Sequence, residues 1–263
     1  MNRLKTLLLA MILAATFAPA AIAVTNTAAN PPVSSAERAK IEEVVREYLI
    51  RQPEVLVEAL QNFQRKQMEE AQQTVKSTQQ SAPKYVNNLF HQANDPVAGN
   101  PNGDITIVEF FDYQCPHCLD MAPVIAAIIK ANPNVRIIFK EFPIRGPMSD
   151  FAARAALAAN KQGKYYILNH ALLTAKQPLT EESIFAIAKN AGLDVDKLKK
   201  DMNDASINNQ LKNTMKLAQD LKLFGTPAFF IGKTDAKTNS AIQYVPGQVD
   251  QKQMQSLIDK ATT

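Results

Sequence analysis

Residues Ile105–Leu119 read ITIVEFFDYQCPHCL. An apolar run leads into Cys115-Pro116-His117-Cys118, and a long apolar helical pattern follows. Asp104–Phe111 is nearly continuous in apolar character, which predicts a central strand buried on both faces. Residues 116–131 then predict a helix, with Pro123 expected to kink it. Asn132-Pro133-Asn134 is a turn, and Val135–Phe142 predicts the next strand. Strand, helix and strand at this spacing form a βαβ unit, so the chain reads as α/β with parallel central strands and a right-handed crossover.

The surrounding chain has ample material for a core. Its 263 residues are 46% hydrophobic and 21% charged, enough for one large domain or two modest ones. The net charge of +4 comes from scattered basic residues, which argues against a nucleic-acid surface. Eight glycines form no phosphate loop.

Residues 1–23 read as a secretory signal peptide. Met1–Lys5 supplies a positive start, Thr6–Phe17 an apolar centre, and Ala21-Ile22-Ala23 a small-x-small cleavage site. The other reading is an uncleaved anchor, but the run is short for a span of about 20 residues. Residues 24–34 are polar, carry Pro31-Pro32, and predict a flexible leader. An exported chain keeps its cysteines where a pair can be a structural disulfide or a redox centre. The very short Cys115–Cys118 loop gains least from stapling, so the spacing favours chemistry.

Ser35 is placed to cap a helix starting near Ala36, with Ile41, Val44, Val45, Tyr48 and Leu49 on one face. Pro53 ends it and suits the first turn of a second helix, whose stripe is Val55, Leu56, Ala59, Leu60 and Phe63. Gln61–Gln80 is polar and predicts an exposed helix or spacer ending near Pro83. These stripes are too sparse for a core of their own. Region 35–82 is therefore expected to pair with a second copy in a homodimer, or else to pack on its own domain.

From Met148 to Leu223 the pattern is helical almost throughout. Gly225-Thr226-Pro227 breaks it, and Ala228–Gly232 with Ala241–Val245 predicts a hairpin. Gln251–Lys260 predicts a terminal helix, and Val97 a short edge strand.

The chemistry centres on the turn. A cysteine at a helix start meets free backbone N–H groups and the positive end of the dipole, so Cys115 should be thiolate-prone. Pro116 fits the first helical position, where its missing N–H had no partner. His117 can add positive charge and a hydrogen bond, or be a solvated side chain with no electronic role. Cys118 lies on the same side of the first turn; the helix direction puts Cys115 outward as attacker and Cys118 inward as resolver. A stabilised thiolate favours the reduced pair, which makes the disulfide an oxidant. Glu109, in an otherwise apolar strand, is a candidate proton relay to Cys118. Lys140 in the next strand is a candidate partner for Glu109, or a solvated strand-end charge. His91 and His170 lie far from the cysteines, so no metal site is expected.

VEFFDYQCPHC, the helical stretch after it and GTPAFFIGK together resemble the DsbA-like thioredoxin-fold thiol-disulfide oxidoreductases of bacterial envelopes. The resemblance covers about residues 95–262. It implies a thioredoxin-like fold interrupted by a helical domain at 148–223, with the N-terminal helices as an extension. It implies that Cys115 forms the mixed disulfide with substrate, that Pro227 is cis against the turn, and that Thr226 offers backbone hydrogen bonds to an extended peptide. Glu109 falls on the family's buried acid. The small monomeric oxidases of that family carry Val before the cis-Pro and lack the helices at 35–80. Thr226 and those helices are more like the larger dimeric isomerases.

The expectation is therefore a periplasmic homodimer that introduces and isomerises disulfides in unfolded or misfolded exported clients. It would exchange electrons with a membrane redox partner and use no cofactor beyond the Cys115–Cys118 disulfide. The rival expectations are an exported binding or surface protein with secondary redox activity, and a dedicated reductase.

Overall fold

The computed structural model describes residues 33–262. The expected signal peptide and all of the leader but its last two residues lie outside that range.

Two compact units divide between Asn62 and Phe63. The first carries α1 (Ser35–Arg51) and the opening turns of α2 (Glu54–Ser81). The cap of α1 is Ser34, one residue before the expected Ser35. Its hydroxyl accepts from Glu37 N–H while the Glu37 carboxylate accepts from Ser34 N–H, a reciprocal capping box. No residue of α1 is buried, and Ile41, Val44, Val45 and Tyr48 stand exposed; Leu56, Val57 and Leu60 do the same on α2.

The second unit begins inside α2, ahead of the spacer end expected near residue 82. The reason is packing: the last turns of α2 belong to this unit's core. Val75 packs against the buried cluster that includes Leu89, Phe110 and Phe230, and Thr78 Oγ1 donates to Leu221 O at 2.7 Å. Gln79 meets the backbone twice: its Nε2 donates to Ile242 O, and its Oε1 accepts from Tyr244 N at 2.7 Å. A 3-10 turn (Ala82–Tyr85) and α3 (Val86–Phe90) follow, neither of them expected.

Five strands form one sheet: β1 (Val97–Gly99), β2 (Ile105–Phe111), β3 (Val135–Glu141), β4 (Ala228–Lys233) and β5 (Gln243–Pro246). Their order is β1-β3-β2-β4-β5. β2 and β3 pair in parallel, joined by α4 (Pro116–Ala131); the other pairings are antiparallel. Val97 does start an edge strand, and β4–β5 is the predicted hairpin.

Between β3 and β4 lie α5 (Pro147–Asn160), α6 (Tyr165–Leu173), α7 (Glu181–Asn190), α8 (Val195–Asp201) and α9 (Ala205–Asp220). The chain closes with α10 (Gln251–Thr262). Every residue of β2 is buried because both sheet faces are covered. Ile107 and Phe111 face the cluster holding Met121, Ile125 and Ile128 of α4. Val108 and Phe110 face the other cluster, with Leu217, Ala218 and the α3 residues Leu89 and Phe90. Each buried Phe contributes about 1.5–3 kcal/mol of hydrophobic stabilisation. This double cover fixes the C-terminal end of β2, and with it the turn that follows.

Candidate active site

The strand order puts the end of β2, the start of α4 and the start of β4 side by side. Cys115 is the N-cap of α4, and its carbonyl accepts from the N–H groups of Cys118 at 2.9 Å and Leu119 at 3.1 Å. Pro116 takes the first helical position, as the missing N–H allows. The Thr226–Pro227 peptide is cis, and Cys115 Sγ donates to Thr226 O at 3.2 Å.

Both cysteines are thiols in this structure, and both are buried. The outward Cys115 expected from helix direction is thus corrected: Thr226 lies over the sulfur, although Gln114, Pro116 and His117 around it are exposed.

The two thiols differ in acidity. Burial pushes Cys115 up, but hydrogen bonding by Thr226 and Cys118 and the positive charge of Arg145 outweigh it, leaving it below the ordinary thiol range. Cys118 is driven well above that range, first by burial and then by the nearby Glu109 charge. Thr226 acts on both sulfurs, yet its buried Oγ1 has no hydrogen-bond partner among the described residues.

Glu109 is 2% exposed and sits in register between Phe139 and Phe229, on the face that holds α4. Burial pushes its carboxyl up to about 8. Lys140, the expected partner, faces away from it. It pairs in register with Phe110, one position along from Glu109–Phe139, so the two side chains leave opposite faces of the sheet. Lys140 is neither Glu109's partner nor a solvated charge. It is buried in an ion pair with Asp95 and also donates to Asn88 O at 2.6 Å.

His117 is exposed, with Nδ1 2.6 Å from Gln248 Oε1. That contact ties the first turn of α4 to the segment before α10.

Three groups were not read from the sequence. Asp112 is almost fully buried and accepts from Gln114 N–H, Ser149 Oγ, Ile144 N–H and Arg145 N–H, at 2.7, 2.7, 2.8 and 3.0 Å. Its carbonyl also accepts from Cys115 N–H at 3.1 Å. Arg145 is the charge beside Cys115. Glu141 accepts from Tyr113 Oη at 3.0 Å and Tyr165 Oη at 2.7 Å, while Asn169 Nδ2 donates to Tyr113 Oη at 3.1 Å. An acid closing an apolar strand, as Asp112 and Glu141 both do, was the available signal.

Residues 106–259 match the model of the DSBA-like thioredoxin domain, more than half of the chain. The chain belongs to this DsbA-like family. Residues 37–72 match the model of the copper resistance protein ScsC N-terminal domain.

A thioredoxin-like oxidoreductase from Silicibacter pomeroyi DSS-3 is 42% identical, with a TM-score of 0.61, over 67% of this chain and 96% of that one. Salmonella enterica Typhimurium BcfH is 33% identical, with a TM-score of 0.60, over 87% and 97%. A probable disulfide bond formation protein D of Bacillus cereus is 27% identical over 55% of this chain and 73% of its own. The chain also matches a Na(+)/H(+) antiporter NhaA 3 of Salinispora tropica, 27% identical over 52% of this chain, but spans only 21% of that protein's length.

The DsbA-like fold accounts for the architecture. The α/β class, the helices between β3 and β4 and the helical extension ahead of the sheet all agree with the resemblance.

Proposed function

We propose that this protein is an exported, periplasmic thiol-disulfide oxidoreductase that introduces and isomerises disulfides in client proteins through Cys115 and Cys118. The supporting observation is the asymmetry of the pair. Cys115 sits at a helix start with its acidity raised, and Cys118 lies in the core beside a protonated Glu109.

In oxidation, a client thiolate attacks Cys115 Sγ of the oxidised pair. The Cys115–Cys118 bond breaks, and Cys118 leaves as a thiolate. Glu109, protonated below about pH 8, then gives it a proton. A second client thiolate attacks the client sulfur of the mixed disulfide, and Cys115 leaves as a stabilised thiolate. Two electrons have passed from client to pair, which a membrane redox partner then removes. In isomerisation the Cys115 thiolate starts the sequence by attacking a wrong client disulfide. Thr226 and Pro227 receive the extended client segment.

The exposed apolar residues of α1 and α2 support a homodimer joined through those helices. Recovery of activity from scrambled ribonuclease tests the reading; activity no greater than that of Cys115→Ala ends it. Light scattering on Val45→Glu/Leu60→Glu should show half the mass of the parent, and equal masses would refute the dimer. The redox state of the pair in cells sets the direction: mostly oxidised means oxidase, mostly reduced means isomerase or reductase.

A further inference from the structure

Asp112 joins two segments that the sequence holds far apart. Its carbonyl fixes Cys115 N–H, and its Oδ2 fixes the N–H groups of Ile144 and Arg145. Its Oδ1 takes Gln114 N–H and Ser149 Oγ. The loop between β3 and α5 is thereby held against the loop between β2 and α4.

Each backbone N–H spent on Asp112 leaves its side chain turned to the surface. Ile144 is 43% exposed, and Arg145 is exposed beside it. Among the described residues no carboxylate pairs with the Arg145 guanidinium. Its charge instead reaches Cys115. Phe224 is 62% exposed, two residues before the Thr226 carbonyl that meets Cys115 Sγ. The rim around the reactive sulfur thus carries one cation and two large apolar side chains.

We propose that Arg145 is a specificity residue, favouring client cysteines with acidic neighbours, while Ile144 and Phe224 grip apolar side chains of the same extended segment. This rests on the thiol-disulfide reading above. A cation at the rim attracts carboxylates next to the incoming sulfur and repels lysines there. The apolar pair gives the segment area to bury without asking for a particular residue.

The test uses two cysteine peptides, identical except that the cysteine is flanked by glutamates or by lysines. Each is presented as a neutral pyridyl disulfide. The Cys115 thiolate attacks the peptide sulfur, the sulfur–sulfur bond to the pyridine breaks, and thiopyridone leaves with its colour as the signal. Cys118 then displaces the peptide as a thiol.

The full-length protein should react with the acidic peptide roughly threefold to tenfold faster at low salt, as expected for one or two partly exposed charge pairs. The ratio should fall close to one in Arg145→Gln and invert in Arg145→Glu. A change in thiolate population alters both rates alike, so the ratio cancels it. Lys237→Gln, in the loop after the far end of β4, should leave the ratio unchanged. Phe224→Ser should slow both peptides without moving the ratio.

An unchanged ratio in Arg145→Gln overturns the proposal, and so does an equal fall in Lys237→Gln, which would assign the preference to overall charge. No reaction of the parent protein with either peptide or with a small neutral pyridyl disulfide overturns the thiol-disulfide reading, and this inference with it.

Discussion

Tyr165 donates to Glu141 across the join between α6 and the end of β3, hydroxyl to carboxyl at 2.7 Å. Both groups are buried, and Glu141 also takes the Tyr113 hydroxyl from the loop that leads to Cys115. The helices between β3 and β4 are therefore fastened to the redox loop through one carboxyl group. Tyr165→Phe leaves that acceptor with one donor fewer and should cost about 1–3 kcal/mol in urea unfolding. A loss under about 0.5 kcal/mol, the size of an ordinary surface change, would show that the bond adds nothing.

Asp95 and Lys140 form a buried pair on the sheet face away from the cysteines. Asp95→Ala should cost about 3–5 kcal/mol, because it strands the ammonium group. Asp95→Leu with Lys140→Met should regain most of that loss. The Cys115 titration should stay in place in both variants; movement would mean that Lys140 acts on the site after all.

Glu109 carries a pH signature. Its pKa rises from 4.5 when exposed to about 8 in the fold. Between those values the unfolded chain has released the proton and the folded one holds it, so stability falls as pH rises through that window. The penalty reaches about 3 kcal/mol near neutral pH. Glu109→Gln should remove that slope, be more stable than the parent at pH 7, and resolve mixed disulfides more slowly. A parallel pair of stability–pH curves would contradict the buried, protonated carboxyl.

Thr226 holds a buried hydroxyl that no group satisfies among the described residues. Thr226→Val keeps the shape and removes the hydroxyl. Stability should hold or rise by about 1 kcal/mol, since an unsatisfied buried group costs about that much. The contact to Cys115 Sγ is made by the Thr226 carbonyl, which valine keeps, so the Cys115 alkylation midpoint should stay in place. A midpoint moved to higher pH would show that the hydroxyl, and not the backbone with Arg145, is the source of its acidity.

The CPHC turn, the βαβ unit and the hairpin were legible because each rests on local pattern: apolar runs, Pro116 at a helix start, and the break at Gly225–Pro227. What stayed hidden depends on which face a side chain leaves. Glu109 and Lys140 both read as acid and base in apolar strands. Only the register, Glu109 with Phe139 and Phe110 with Lys140, shows that they point apart. Cys115 read as exposed because helix direction says nothing of a turn arriving from residue 226. Asp112 and Arg145 lie 33 residues apart in sequence, so no local pattern could join them. Gln61–Gln80 reads as an exposed helix or a spacer for want of apolar residues; it is the mostly exposed body of α2, but its last turns are held by polar side chains, Thr78 and Gln79, on backbone groups.

Gln79 does one thing more. β5 is the last strand of its sheet, and its outer backbone groups would ordinarily invite another strand. The carboxamide of Gln79 accepts from Tyr244 N–H and donates to Ile242 O, the pair of bonds that an incoming chain would make first. Under the proposed function, this protein works among unfolded polypeptides with bare backbones. A side chain that impersonates a neighbouring strand lets it hold a client by the cysteine without being stitched to that client along the sheet.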